Sequence, residues 1–226
     1  MIYKNTVKGA FISRPNRFIA HVSVNGQQEI CHVKNTGRCR ELLTEGAQVI
    51  LEDHRGENRK TAFDLIAVYK GDMLINMDSQ APNKVVGEWL SQGGCFDRLS
   101  LLRPEQTFGD SRFDFYIEAD GKRIFAEVKG VTLEKDGVVS FPDAPTERGV
   151  KHLRELMAAM EQGFEAYVFF VIQMESCSYF TPNDVTYKEF ADTLREAAKR
   201  GVHVVALTCS VTENSLEIKS ECPVVL

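Results

Sequence analysis

The sequence predicts two units of different class: a small, strongly curved β-barrel over residues 1–80, then an α/β unit with a mixed, helix-flanked sheet over residues 81–226. Three observations carry this. The first 80 residues read as several short strands with one short helical stretch. After Ala81-Pro82-Asn83 the pattern becomes strand, helix, strand, which implies at least one parallel pair covered by helices. Between these, Ser111–Lys129 reads as one long hairpin turning on Asp120-Gly121.

In the first unit, Phe18, Ala20, Val22 and Val24 alternate with His21, Ser23 and Asn25, and Asn25-Gly26 marks a turn into a strand over Gln28–Val33. A helix is expected over Arg38–Glu45, stopped by Gly46. Strands follow at Gln48–Glu52, Ala62–Tyr69 and Met73–Met77. A barrel of this size is best hosted by an OB-like fold. In the second unit, Asn83–Ser91 reads as a helix and Val138–Phe141 as a strand. Val150, Leu153, Met157, Met160 and Phe164 form an apolar stripe at helical spacing. The apolar run Ala166–Ile172 suits a buried strand, Lys188–Arg200 a helix closed by Gly201, and Val202–Leu207 a further buried strand.

The hairpin carries the chemistry. Folding at Asp120-Gly121 pairs residues whose numbers add up to the same total as the two turn residues, so Asp114 faces Glu127 and Tyr116 faces Phe125. Side chains alternate along each strand, so Phe113, Phe115, Ile117, Ile124, Ala126 and Val128 form an apolar opposite face. Directly opposed carboxylates destabilise a sheet unless a cation lies between them. Asp, then Glu-x-Lys on the neighbouring strand, fits metal-assisted phosphodiester hydrolysis: Asp114 and Glu127 would hold Mg²⁺ or Mn²⁺, and Lys129 would orient the attacking water. The alternative is a solvent-facing ion network with no ligand.

Composition describes an ordinary globular chain: 43% of its residues are hydrophobic and no apolar run approaches the ~20 residues of a membrane span. No apolar leader follows the first methionine, so the cytoplasm is the expected location. Six scattered cysteines without C-x-x-C spacing predict reduced thiols rather than a disulfide framework or a structural metal. The net charge of −5 is uneven: residues 1–60 hold ten Lys/Arg against six Asp/Glu, a balance of +4, which leaves −9 on the remainder. That asymmetry admits a basic binding module joined to an acidic body.

Arg38 and Arg40 lie in Asn35-Thr-Gly-Arg-Cys-Arg40, at the N-terminus of the expected helix, a ready anion site; Arg14 and Arg17 flank Pro15-Asn16 in another loop. These four are the candidate nucleic-acid-binding residues. Glu147, Arg148, Lys151 and His152, which open the striped helix, are candidate accessory residues. Glu147, Lys151 and Arg154 share a face, and His152 reads as an exposed residue elsewhere on that helix.

The chain resembles the sugar fermentation stimulation protein family of bacteria and archaea. The resemblance rests on Arg14-Pro-Asn-Arg-Phe18, Asn35-Thr-Gly-Arg38, Ser111-Arg-Phe-Asp-Phe115, Glu127-Val-Lys-Gly-Val-Thr-Leu133, Phe141-Pro-Asp-Ala-Pro-Thr-Glu-Arg-Gly149 and Lys151-His152. It implies an OB-like domain followed by a PD-(D/E)xK nuclease-like α/β domain, DNA binding, and a history as a regulator of sugar-catabolism genes. That class uses an Asp and a Glu-x-Lys, here Asp114, Glu127 and Lys129. Cys39 stands where methionine is common and Gly130 where serine or asparagine is frequent. The expected activity is Mg²⁺-dependent phosphodiester cleavage of DNA, with a non-cleaving DNA-binding regulator as the alternative. RNA is an alternative target, no membrane partner is expected, and a homodimer is in keeping with related nuclease folds.

Overall fold

The computed structural model describes residues 1–35 and 37–226; Thr36 lies outside the described residues. Strands β1 (Thr6–Asn16), β2 (Ile19–Val24), β3 (Gln27–Val33), β4 (Gln48–Asp53), β5 (Phe63–Lys70) and β6 (Met73–Asn76) hydrogen-bond in the order β3-β2-β1-β4-β5-β6. A parallel β3–β5 pairing, Cys31 to Val33 against Phe63 to Leu65, closes β1–β5 into the expected OB barrel. Ala20, Val22 and Val24 alternate into its interior, while β5, inside the sheet, buries every residue from Phe63 to Val68.

The expected Arg38–Glu45 helix does not form. Only one turn is made, with Leu42 and Leu43 donating to the Cys39 carbonyl at 3.2 and 2.9 Å. Cys39 has φ +45°, outside the helical region, and the burial of Cys39, Leu42 and Leu43 fixes the path of the segment. The helix N-terminus expected to bind an anion is therefore absent.

The second unit is a six-stranded sheet in the order β15-β14-β12-β9-β8-β7, with β7 (Leu99–Phe108), β8 (Ser111–Ala119), β9 (Lys122–Val131), β12 (Glu165–Ile172), β14 (His203–Val211) and β15 (Leu216–Cys222). β9, β12 and β14 run parallel; the outer pairings are antiparallel. α1 (Ala81–Ser91) covers one face, burying Val85, Val86 and Leu90. α2 (Glu147–Glu161) and α3 (Asp184–Lys199) cover the other. α2 starts where the Thr146 hydroxyl accepts the Gly149 N–H at 3.0 Å, and it buries Val150, Leu153, Leu156 and Met157; each such side chain contributes about 1.5–3 kcal/mol. A small sheet of β10 (Leu133–Lys135), β11 (Val138–Phe141) and β13 (Tyr179–Pro182) lies beside the main one. α3 begins four residues earlier than expected because Asn183 caps it, accepting the Thr186 N–H at 3.1 Å. Strands β1, β7, β10, β13 and β15 had no sequence expectation, and Arg14, Pro15 and Asn16, expected in a loop, form the end of β1.

The units meet through buried polar groups. Gln173 donates to Asn76 Oδ1 at 2.8 Å and to the Asp78 carbonyl at 3.0 Å, while Lys70 Nζ donates to the Glu134 carbonyl at 2.7 Å. Among the cysteines, Cys177 and Cys222 lie near each other with Cα atoms 7.0 Å apart, while Cys31, Cys39 and Cys209 are buried and Cys95 is exposed, each of these four a free thiol. No helix among the described residues is long and apolar enough to cross a membrane.

Candidate active site and nucleic-acid interface

The β8–β9 hairpin has the predicted register. Phe115 pairs with Ala126, Tyr116 with Phe125 and Ile117 with Ile124, and the turn residues Asp120 and Gly121 both have positive φ, 53° and 76°. Phe115, Ile117, Ile124, Ala126 and Val128 pack on the α1 side as expected. Phe113 departs from them: its ring stands 5.2 Å from Phe125 and 6.2 Å from His152, on the α2 side. The regular ladder ends at Phe115–Ala126, and the Asp114 side chain takes over the edge, its Oδ2 accepting the Val128 N–H at 2.7 Å. Asn83 on α1 donates to Asp114 Oδ1 at 2.6 Å. The carboxylate is thus held from both sides, and each oxygen retains a lone pair for a ligand.

Glu127 is 3% exposed. Its Oε1 accepts from Lys129 Nζ at 2.5 Å and is hydrogen-bonded to His152 Nδ1. Arg148 Nε donates to His152 Nε2 at 3.3 Å. Arginine only donates, so Nε2 carries the lone pair and Nδ1–H is the donor to Glu127. Glu127 Oε2 is buried with no hydrogen-bond partner among the described residues. The two carboxyls are pushed apart in acidity. Burial, reinforced by the charge of Glu127, holds Asp114 above the usual carboxylate range. Burial also pushes Glu127 up, but the His152 hydrogen bond and the Lys129 charge outweigh it and leave Glu127 below its ordinary value. Gly130 follows as a close approach rather than a departure without cause: a Cβ there would stand 2.5 Å from Gln173 Oε1 and 2.9 Å from Pro82.

Of the accessory candidates, His152 reaches the site, and it does so as a buried residue, 4% exposed, not the exposed one the sequence suggested. Arg148 reaches it through His152. Glu147 is exposed at the start of α2, and Lys151 is turned to the Asp110 carbonyl at 3.1 Å and Glu155 at 3.7 Å, so neither meets the carboxylates. Arg154 pairs with Glu189 of α3.

The four arginines do converge. Arg14, Arg17, Arg38 and Arg40, with Asn16, Gly37 and Leu43, line one cleft of about 230 Å³ on the barrel. Arg14 plays a different part from the expected one. Its Nη1 donates to the carbonyls of Gly37 and Arg38 at 2.8 and 2.9 Å, and its Nη2 to those of Arg17 and Asn35 at 2.7 and 2.6 Å. Arg14 therefore builds the loops that present Arg17, Arg38 and Arg40. A smaller cavity of about 100 Å³, lined by Asn35, Ser79, Gly130 and Gln173 among others, lies where the two units meet, and Gly37 lies against Asp143 of the β11–α2 loop.

Away from both, Glu52, His54 and Asp64 on the barrel each bring one ligand atom within 4.8 Å of the others, a set able to hold a metal ion. Arg59 already pairs with Asp64 at 2.6 Å there.

The chain matches the family model described as the sugar fermentation stimulation protein RE domain over residues 80–215, and that described as the SfsA N-terminal OB domain over residues 12–77. It is 60% identical to a sugar fermentation stimulation protein homolog of Desulfitobacterium hafniense, covering 96% of this chain and 95% of that one. It is 55% identical to a homolog of Clostridium beijerinckii, covering 100% of both. The solved structure of Pyrococcus furiosus SfsA in complex with Ca²⁺ superposes with a TM-score of 0.88 at 24% identity, covering 100% of this chain and 98% of that one, which shows a shared fold. With both halves matched and more than half of all positions identical to relatives along the whole length, the chain belongs to the sugar fermentation stimulation protein family.

Proposed function

We propose that this protein is a divalent-metal-dependent phosphodiesterase acting on DNA, with Asp114 and Glu127 as metal ligands and Lys129 at the attacking water. The observation that carries this reading is Glu127 Oε2, a carboxylate oxygen that is buried and unpartnered, on a residue whose charge is felt by the half-buried Asp114 carboxylate. Leaving a charged acceptor buried without a partner costs about 1–3 kcal/mol or more, which a bound cation would relieve. Two carboxylates and no sulfur suit a hard cation such as Mg²⁺ or Mn²⁺. The PD-(D/E)xK class uses an Asp and a Glu-x-Lys in this arrangement, and the Pyrococcus furiosus relative was solved with Ca²⁺, another hard cation.

When bound, the ion would polarise the phosphoryl oxygens and acidify a water. The chain supplies the rest. Asn83 and the Val128 N–H fix the Asp114 carboxylate, so it need not reorganise to act. His152, its tautomer set by Arg148, occupies Glu127 Oε1 and leaves Oε2 free. Lys129, 15% exposed, is the cation that orients a water and offsets charge on the phosphate. Arg17, Arg38 and Arg40 grip the phosphate backbone outside the site.

The test is nicking of supercoiled plasmid with Mg²⁺, Mn²⁺ or EDTA, alongside Mn²⁺ titration followed by electron paramagnetic resonance. Wild type should bind Mn²⁺ at this site and nick; Asp114→Asn should lose both. Cleavage that survives in Asp114→Asn would overturn the reading. DNA binding without cleavage under any metal would leave the regulator instead, and preference for a matched RNA would change the target.

A further inference from the structure

Resting on that reading, we infer that the barrel cleft takes a single-stranded segment: a base stacks on the Arg17–Phe18 platform while Arg38 and Arg40 hold the flanking phosphates. Phe18 is 46% exposed, large for an aromatic residue, and its exposure does not come from a loose turn. Asn16 Oδ1 accepts the N–H groups of Phe18 and Ile19 at 2.9 and 3.1 Å, and the Phe18 carbonyl accepts the Val33 N–H at 2.7 Å. The backbone is pinned and the ring is held out. The Arg17 guanidinium lies 5.0 Å from the ring centroid, so the turn presents a layered cation–π face.

Charge supports the same occupant. Arg17, Arg38 and Arg40 have no carboxylate partner among the described residues, as is also true of Arg103, Arg123 and Arg148, but the first three are gathered in one cleft, whereas Arg55, Arg98, Arg112, Arg154, Arg195 and Arg200 are each paired. Phe18 stands outside the lining of the cleft of about 230 Å³, and Arg17, which lines the cleft and covers the Phe18 ring, joins the platform to it. A duplex offers phosphates to arginines but hides its base faces within its own stack. An unpaired strand leaves every base face free, and an aromatic platform beside cations is selective for it without reading sequence. The turn between the first two strands of an OB barrel is also one of the loops that bind oligonucleotides in this architecture. The strand would then run past Asn35 and Gly37 towards Gly130 and the carboxylates.

The experiment is fluorescence anisotropy of the full-length protein in EDTA, with an end-labelled single strand and its matched duplex. Wild type should bind the single strand more tightly. Phe18→Ala and Phe18→Leu should both weaken single-strand binding by about 5- to 150-fold, the loss of one stacked base, with duplex binding unchanged; Phe18→Trp should keep the preference. Leucine retains an apolar side chain, so a loss in both variants reports the ring and not the fold. Equal affinity for the two substrates, or equal loss on both, would overturn the inference while plasmid nicking by wild type leaves the phosphodiesterase reading standing. Failure to bind either substrate together with failure to nick would remove both.

Discussion

The carboxylate site and the arginine cleft are built in opposite ways. Asp114, Glu127 and Lys129 sit on paired strands, where backbone hydrogen bonds fix the register and the side-chain directions follow from it. Arg17, Arg38 and Arg40 sit on irregular chain, and one buried-stem side chain, Arg14, holds that chain in place through four carbonyls. The first site concentrates buried negative charge at high electrostatic cost; the second spreads exposed positive charge at little cost. A strand-borne site should therefore fail chemically when altered, and a loop-borne site should fail by losing its shape.

The largest effect expected from that contrast is chemical. Lys129→Ala should lower metal-dependent cleavage by about 10²–10³-fold while DNA affinity changes little, because Lys129 is directed at the reacting centre and not along the backbone. Single-turnover cleavage measured beside anisotropy separates the two. Next is a loss of shape. Arg14→Ala should lower stability by about 2 kcal/mol, or roughly 4–8 °C in Tm for a chain of this size, and weaken DNA binding as much as removing the exposed arginines does. Arg14→Lys should not rescue it, since an ammonium cannot span four carbonyls as a guanidinium fork does. An Arg14→Ala protein with normal Tm would place Arg14 among the direct ligands and erase the contrast.

The same contrast explains what the sequence revealed. Asp120-Gly121 and two-residue alternation were enough to set Asp114 near Glu127, because strand pairing converts sequence distance directly into spatial distance. They could not show that the ladder opens at Asp114 or that Phe113 leaves its face, since both depend on α2 docking over that end. His152 was misread as exposed, although a signal was present: His152, Leu156 and Ala159 follow i, i+4, i+7 and all lie in the buried stripe of α2. Arg14 had no such signal. Its four carbonyl partners lie up to 24 residues away and meet it only in the folded barrel. The failed Arg38–Glu45 helix is of the same kind, because tertiary burial of Leu42 and Leu43 overrode a modest local propensity.

Within the carboxylate site a smaller test divides its two halves. In EDTA at neutral pH, Asp114→Asn should raise Tm, because burial and the charge of Glu127 disfavour the Asp114 carboxylate in the fold. An asparagine still accepts the Val128 N–H, and Asn83 can turn its amide to accept from it. Glu127→Gln should lower stability by about 1–3 kcal/mol, and Tm with it, because it removes the negative charge that makes the hydrogen bonds from Lys129 and His152 strong and leaves the Lys129 ammonium without a counter-charge. The pH dependence has matching signs. Glu127, depressed in the fold, contributes stability that is present above its unfolded pKa and lost as pH falls through its folded one. Asp114, raised in the fold, imposes a cost above its folded pKa that is relieved on acidification. Differential scanning fluorimetry from neutral to acid pH reads both, and equal shifts in the two variants would contradict the assigned asymmetry.

The smallest effect tests the loop-borne half and its independence from the other. Binding in the arginine cleft is mostly counterion release, so log affinity for DNA should fall linearly with log salt, and each phosphate contact contributes about 0.7 to 0.9 to the slope. Arg38→Ala with Arg40→Ala should flatten it by about 1.4 to 1.8 if both arginines touch phosphates. Neither makes a salt bridge within the described residues, so stability should be unaffected. The same slope change should appear in an Asp114→Asn background, because Arg38 and Arg40 share no hydrogen bond with Asp114 among the described residues, and distant sites act additively. A slope that stays at the wild-type value would move the DNA-contacting surface off the barrel. A slope change that vanishes in the Asp114→Asn background would show that the cleft engages DNA only when the carboxylate site is intact, and would turn two separately built sites into one.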